Sequence, residues 1–366
     1  MDVTAAVYVN GKFCAQRTTG VQRYARCALE AIDARLSTQA VAARWTLLLP
    51  AGAKVPSLRA IAIRHVPWRG PGALHGWEQL ALPRAARGGL LLNLTGSAPA
   101  WRAAAQVCVL HDAAPFDQPQ AYTAAFAAWY RWLFGRLARR PGTRLLTVSA
   151  FSQQRLAAAL SVPQARFIVA PGGSGHLDGV VADGAPLAAH GLDRLPFVLA
   201  VGSRNATKNL PRLAEAWPLV GRADVKLVLV GGANARVFGG SAAAPQLPGV
   251  LDLGPLDDAA LKALYQRASA FVFPSLYEGF GLPPLEAMAC GCPVAASSIA
   301  PVQAVCGDAA LYFDALSPRS IADVLRRLLD NAALRADLRD RGRRRAALFS
   351  WDATARALLD AVGAAT

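Results

Sequence analysis

The sequence predicts an α/β protein of two domains, each built on a doubly wound parallel sheet. Three observations carry this reading. Short β-type runs alternate with helical spacing, the pattern of successive βαβ units. The alternation stops once, in a stretch rich in Gly, Asp and Pro, and then begins again. At 366 residues the chain is long enough for two cores, at roughly 150 residues per domain. The first series runs TAAVYV (4–9), a helix over about 20–36, WTLLLP (45–50), AIAIRHV (60–66), LLLNL (90–94), QVCVLHD (106–112), a long helix over about 120–140, and RLLTVS (144–149). The second runs FVLAVG (197–202), VKLVLVGG (225–232), ASAFVFP (268–274), CPVAAS (292–297) and AALYFD (309–314), with helices between. The interruption, 170–196, has neither hydrophobic period. These features predict a first domain over 1–182, a linker over 183–195 and a second domain over 196–349. A final helix over 350–366, opened by Ser350 at its N-cap, can cross back to the first domain.

Composition narrows the function classes. Charged residues make up 17% and apolar residues 54%, a balance that excludes extended disorder. No apolar run approaches the ~18 residues of a spanning helix, and MDVTAAVYVNG lacks a basic leader ahead of an apolar core. Cytoplasmic residence is the expectation. Cys14, Cys27, Cys108, Cys290, Cys292 and Cys306 show no CxxC pair and sit in apolar segments, as reduced, buried thiols do. The formal charge of +15 suits a polyanionic partner or surface, whether nucleic acid, phosphate or anionic lipid. One segment, 121–140, joins Trp129, Tyr130, Trp132 and Phe134 to Arg131, Arg136, Arg139 and Arg140, with Arg144 following. That composition fits peripheral contact with an anionic membrane as well as a sheet-covering helix.

Ligands of open parallel sheets bind beyond the carboxyl ends of the strands, so the turns that follow strands are the places to look. The most informative is FVFPSLYEGFGLPPLEAMACGCPVAAS (271–297). Gly279 and Gly281 flank Phe280 in a turn that lets backbone approach a ligand, and Leu282 and Pro283 open a helix there. A helix start of this kind suits a phosphate or diphosphate. Gly291 and Pro293 end the helix after about two turns. Glu278 and Glu286, with seven residues between them, can face one crevice and accept hydrogen bonds from sugar hydroxyls. The turn VGSRNATKNL adds two cations, Arg204 and Lys208, able to neutralise a diphosphate. RTTGVQRYA places Gly20 where a loop meets the first long helix, beside Arg17, Gln22 and Arg23, and VCVLHDAAPF places His111 and Asp112 at a strand end.

The Glu-seven-Glu segment and its surroundings, LGPLDDAALKALYQRASAFVFPSLYEGFGLPPLEAMACGCPV, resemble glycosyltransferase family 4. Weaker matches, TTGVQRYA, TVSAFS, VGSRNATKN and GDAALYFD, extend the resemblance over nearly the whole chain. It implies a GT-B fold, two Rossmann-like domains facing across a cleft, and retaining transfer from a nucleotide-diphosphate sugar. It implies that Glu278 contacts the transferred sugar, Glu286 the nucleotide ribose and Lys208 the diphosphate. It further implies that Gly20 gives close approach to the sugar or diphosphate and that His111 lies near the sugar, without acting as a general base. The family's usual arginine directly after the glycine is Ser203 here, with Arg204 next to it. TGVQRYA and LHDAAPFD look like bacterial enzymes that transfer mannose or related sugars in surface-polysaccharide assembly, so a GDP-linked donor and a glycan or lipid-linked glycan acceptor are expected. Cations and helix amides suffice for the leaving diphosphate, and Asp257 and Asp258 read as a helix start, so no metal and no cofactor beyond the donor are expected. Two other classes are open to the composition: a sugar-nucleotide epimerase, which needs further carboxylates and histidines, and a nucleic-acid-binding protein. The second lacks any recognisable basic helix or RNA module, and no nucleic-acid partner is expected.

Overall fold

The computed structural model describes residues 6–38, 43–101, 104–232 and 247–365. The chain divides into two compact units, one formed by 1–116, 128–172 and 351–366 and the other by 117–127 and 173–350.

Among the described residues the first unit holds seven strands: β1 (Ala6–Asn10), β2 (Arg44–Pro50), β3 (Ala62–Val66), β4 (Leu90–Asn93), β5 (Gln106–Val109), β6 (Thr143–Thr147) and β7 (Phe167–Val169). They pair in the order β3-β2-β1-β4-β5-β6-β7, all parallel. The second unit holds β8 (Phe197–Val201), β9 (Lys226–Val230), β10 (Val250–Gly254), β11 (Ala270–Phe273), β12 (Val294–Ser297) and β13 (Ala310–Phe313), ordered β10-β9-β8-β11-β12-β13 and again all parallel. Each sheet grows outward in one direction and then restarts beside its first strand. The winding therefore reverses between β1 and β4 in one unit and between β8 and β11 in the other. Helices cover both faces, which is why the central strands read as unbroken apolar runs rather than alternating ones. Val198, Leu227, Leu229 and Val272 form a core with Leu213, Trp217, Ile321 and Leu325 from the helices against them.

Two edge strands, β7 and β10, go beyond the runs expected from sequence. β7 is only the three apolar residues Phe167–Val169, too short a run to stand out, and β10 is broken by Asp252 and has no fully buried residue.

The division also falls elsewhere than at 183–195. The 173–195 segment is tied to the second unit by its backbone: Lys262 donates Nζ to the carbonyls of Leu177, Asp178 and Val180 (2.8, 3.2 and 2.9 Å), and Asp183 donates its amide to Ala259 at 3.0 Å. The stretch has the composition of a linker, but a lysine from a distant helix claims its carbonyls. At the other end, the helix Trp351–Gly363 lies with the first unit. Its Asp352 receives both Nε and a terminal nitrogen of Arg35 (2.6 and 2.9 Å), and Trp351 packs edge-on to Tyr24.

Beneath the β1/β4 reversal lies a buried polar network. Lys12 Nζ is 2.7 Å from Glu78 Oε2, and the other carboxylate oxygen accepts from Asn10 and Ser97 at 2.9 and 2.7 Å. Asn10 also donates to Asn93 at 3.0 Å. All five side chains are at least 95% buried. Burial alone would raise the Glu78 pKa, but the Lys12 charge and the hydrogen bonds from Lys12, Ser97 and Asn10 outweigh it and hold the carboxyl below its ordinary range.

Candidate functional site

The reversal between β8 and β11 in the second unit is where such a sheet opens a crevice, and the turns that follow those two strands are the ones the sequence marks out. After β8, Asn205 caps a single 3-10 turn, Ala206–Lys208, by accepting from the Lys208 amide, and Asn209 leaves it in the left-handed region (φ 56°). Asn209 is buried and donates to the carbonyls of Pro274 and Ala315 (3.1 and 2.8 Å), while the Leu276 amide donates to Thr207 O at 2.7 Å. The two turns are thereby locked together. On this frame Lys208 Nζ reaches Glu278 Oε1 at 2.5 Å and stands 5.4 Å from the centre of the Phe273 ring. Both partners are less than 20% exposed, so the pair is shielded from solvent yet reachable from it.

The expected short helix runs Leu282–Ala289. Gly281 precedes it at φ 125°, a conformation that L side chains rarely adopt, which explains a glycine there independently of any ligand. Pro283 and Pro284 bring no N–H to the first turn, so the donors at this helix start are the Leu282 amide and those of the turn before it. Gly291, at φ 75°, closes the other end, with the Cys292 amide on Ala287 O at 2.8 Å. The Phe280 ring is buried and meets Phe349 edge-on, so its side chain braces the turn.

The structure separates the remaining sequence-marked residues. Glu286 is 95% buried, with Oε2 accepting from Tyr265 and Oε1 beside His176. Arg204 sits not with Lys208 but on Asp252, in the middle of β10. Asp257 does start a helix, accepting from the Ala260 amide at 2.9 Å. In the first unit, His111 follows β5, with Nε2 2.8 Å from Leu94 O and its ring edge-on to Tyr24 at 4.9 Å. Burial pushes its pKa down to about 4, against a smaller opposing effect of the Leu94 carbonyl, so the imidazole is neutral at pH 7. Gly20 begins the helix Gly20–Thr38, and a Cβ built on it meets nothing within 4 Å. The fold itself makes no demand for glycine at that position. Arg17 is exposed, and Gln22 accepts from the Thr19 amide at 3.3 Å. Sequence reasoning missed Asp252, Asn209, Tyr265 and His176; only Asn209, a residue type that tolerates left-handed backbone, carried a local clue.

Comparison with known proteins agrees with the architecture. Residues 188–345 match the family described as "Glycosyl transferases group 1". O-antigen chain mannosyltransferase B of Escherichia coli is 32% identical over 217 residues, covering 57% of this chain and 57% of that protein. The serotype-specific mannosyltransferase WbdA of the same species is 40% identical over 107 residues, 29% of this chain and 13% of WbdA. The matches thus span little more than half of the first relative and a small part of the second. Among solved structures, Anabaena HepE in complex with UDP and glucose superposes with a TM-score of 0.72 at 15% identity, covering 99% of this chain and 100% of that one. Sucrose-phosphate synthase from Thermosynechococcus elongatus gives 0.70 at 19% identity and 96% coverage of both. The two parallel-sheet units form a GT-B fold, residues 188–345 match the glycosyl transferases group 1 family, and the chain is similar to bacterial mannosyltransferases such as the O-antigen chain enzyme.

Proposed function

We propose that the protein is a retaining hexosyltransferase that moves mannose, or a closely related sugar, from a nucleotide-diphosphate donor to a glycan or lipid-linked glycan acceptor in bacterial polysaccharide assembly. The observation that carries the reading is the Lys208–Glu278 pair at the β8/β11 reversal, directly ahead of the Gly281 helix start. A cation, turn amides and a helix N-terminus converge where a diphosphate would sit. Next to them is a carboxylate placed for sugar hydroxyls.

In this reading Lys208 and the amides of Phe280, Gly281 and Leu282 take up charge as the diphosphate leaves, and no metal is required for it. Glu278 holds the transferred sugar and Glu286 the ribose. His111, neutral and without a general-base role, is assigned to the sugar, and Gly20 to close approach of the diphosphate. Because the acceptor attacks the face from which the diphosphate departs, the protein's contribution is positioning and charge stabilisation. Arg204, held by Asp252, takes part only by exchanging partners. A GDP-linked donor is the choice that the sequence resemblance suggests, and mannose is the sugar named for the relatives. The test is incubation with a panel of GDP-, UDP- and ADP-linked hexoses, following slow hydrolysis and thermal shift. Stabilisation and turnover by one donor with retained anomeric configuration are expected, and an altered free sugar nucleotide would indicate an epimerase instead.

Among the described residues no helix is long and apolar enough to cross a membrane. The first unit instead has a groove of about 490 Å³ lined by Arg131, Trp132, Arg136, Arg139 and Arg140. Trp132 and nearby Trp101, 5.2 Å apart ring to ring, are 42% and 60% exposed. This surface suits peripheral attachment to the anionic inner face of a membrane. Flotation with anionic vesicles at low salt is expected, with loss at high salt or in Arg136→Gln/Arg139→Gln; binding indifferent to lipid charge and salt would contradict it.

A further inference from the structure

Between Glu78 and Asp178 the chain carries ten arginines and only two carboxylates, Asp112 and Asp117. Four of those arginines, Arg131, Arg136, Arg139 and Arg140, line the groove of the first unit, and among the described residues none of the four is paired with a carboxylate. Two of them are held to each other instead: Arg136 Nε and Arg140 Nη1 donate to one carbonyl oxygen, that of Ala100, at 2.9 and 3.0 Å. Burial, and after it the Arg136 charge, lowers the Arg140 pKa. The shared carbonyl thus sets two like charges side by side with no anion between them. Gly135 completes the lining, since a Cβ there would lie 3.0 Å from Arg139 Nη1, which donates to the Gly135 carbonyl at 3.1 Å. Glycine weakens a helix interior, and this one gives the Arg139 guanidinium its place. The groove arginines are not needed to cap the helix end, because Arg166 already donates to the carbonyls of Ala138, Arg140 and Thr143 at 3.4, 2.9 and 2.5 Å.

We infer that this groove is a discrete site for the phosphate of one anionic phospholipid headgroup, gripped by the paired guanidiniums of Arg136 and Arg140. The inference rests on the reading of this face as a membrane-attachment surface and deepens it from diffuse attraction to a bound lipid. A guanidinium presents a planar fork that matches two oxygens of a phosphate, and two forks anchored on one carbonyl are arranged before the ligand arrives. The aromatic rim selects lipid over nucleic acid or free phosphate. Trp101 and Trp132 are exposed beside the arginines, with the Arg136 guanidinium 5.9 Å from the centre of the Trp101 ring. Indoles in that setting lie at the headgroup level of a bilayer, apolar body toward the chains and N–H toward water.

The test is co-sedimentation of the whole protein with phosphatidylcholine vesicles that contain or lack phosphatidylglycerol, for the parent and for Arg136→Lys/Arg140→Lys. The lysines keep both charges and lose both forks. A bound headgroup predicts that the variant partitions to the phosphatidylglycerol vesicles about tenfold more weakly, the loss of roughly one hydrogen bond to a charged group. Partition equal to the parent's would overturn the discrete site and leave diffuse membrane attachment standing. A second measurement uses the parent alone and so does not depend on the variant folding. Glycerophosphoglycerol, the headgroup without its chains, is expected to release the parent from the vesicles where sodium chloride of the same ionic strength does not; equal release by the two would overturn the site. A parent that ignores phosphatidylglycerol, or that binds RNA and no vesicle, would overturn the membrane reading and the site together.

Discussion

Replacing Lys208 with Met is expected to lower turnover of the nucleotide-sugar donor by about 100- to 1000-fold, the loss typical when one preorganised donor is withdrawn from developing negative charge. The expectation follows from where the ammonium sits. It is held by Glu278 at 2.5 Å and backed by the Phe273 ring, with its aliphatic stem packed 3.5 Å from where a Cβ of Gly202 would lie. Its position is set before any donor arrives. If the pair were purely structural, removing one partner of a shielded ion pair would appear in thermal stability and not in rate. Initial rates on the donor, beside the unfolding midpoint of the same variant, separate the two cases.

Lys12→Met is expected to destabilise the first unit by about 3–5 kcal/mol, because it strips the counter-charge from a carboxylate that is 99% buried. Glu78 would keep its hydrogen bonds from Asn10 and Ser97, which do not replace a charge. In the parent, the depressed Glu78 pKa contributes stability at pH values above the ordinary carboxylate range, and this is lost as pH falls through the folded value. In the variant that contribution is gone, so its deficit against the parent should shrink as pH falls and Glu78 becomes protonated. Denaturant unfolding at pH 7 and near pH 4 measures both effects; equal deficits at the two values would mean that lost packing, not charge, is responsible.

The local structure of the turn at Glu278–Gly281 was legible because its determinants are local. A glycine forced to φ 125°, prolines in the first helical turn and a glycine at the far end of Leu282–Ala289 write the element into a dozen residues. The place of Lys208 was legible for the same reason, since it stands between a strand and a helix. What could not be read depends on chain segments that meet only in the folded state. Arg204 looked like a second diphosphate cation, and nothing near it in sequence announces Asp252, 48 positions away. Glu286 looked open to the crevice, but Tyr265 and His176, 21 and 110 positions earlier, enclose it. The unit boundary was displaced because Gly- and Asp-rich composition reports the absence of periodicity, not the absence of partners, and Lys262 supplies partners for the 177–180 carbonyls. The Asn10–Lys12–Glu78 network left no trace either, since isolated charged residues usually face water and Glu78 lies 66 positions from Lys12.

The central claim, that the Glu278–Glu286 turn binds a nucleotide-diphosphate sugar with the two carboxylates on different parts of it, is tested most directly by pairing calorimetry on free nucleoside diphosphate with initial rates on the donor for Glu278→Gln and Glu286→Gln. Glu286→Gln is expected to weaken donor and free diphosphate alike by about ten- to hundredfold, from roughly 1.5–3 kcal/mol of hydrogen bonding to a charged acceptor. Glu278→Gln is expected to leave diphosphate affinity nearly intact while lowering turnover by a similar factor, because its partner is the sugar, and the contact strengthens as the sugar develops charge. If both variants fold as the parent does, bind nucleoside diphosphate as tightly and turn over as fast, the donor does not lie at this turn.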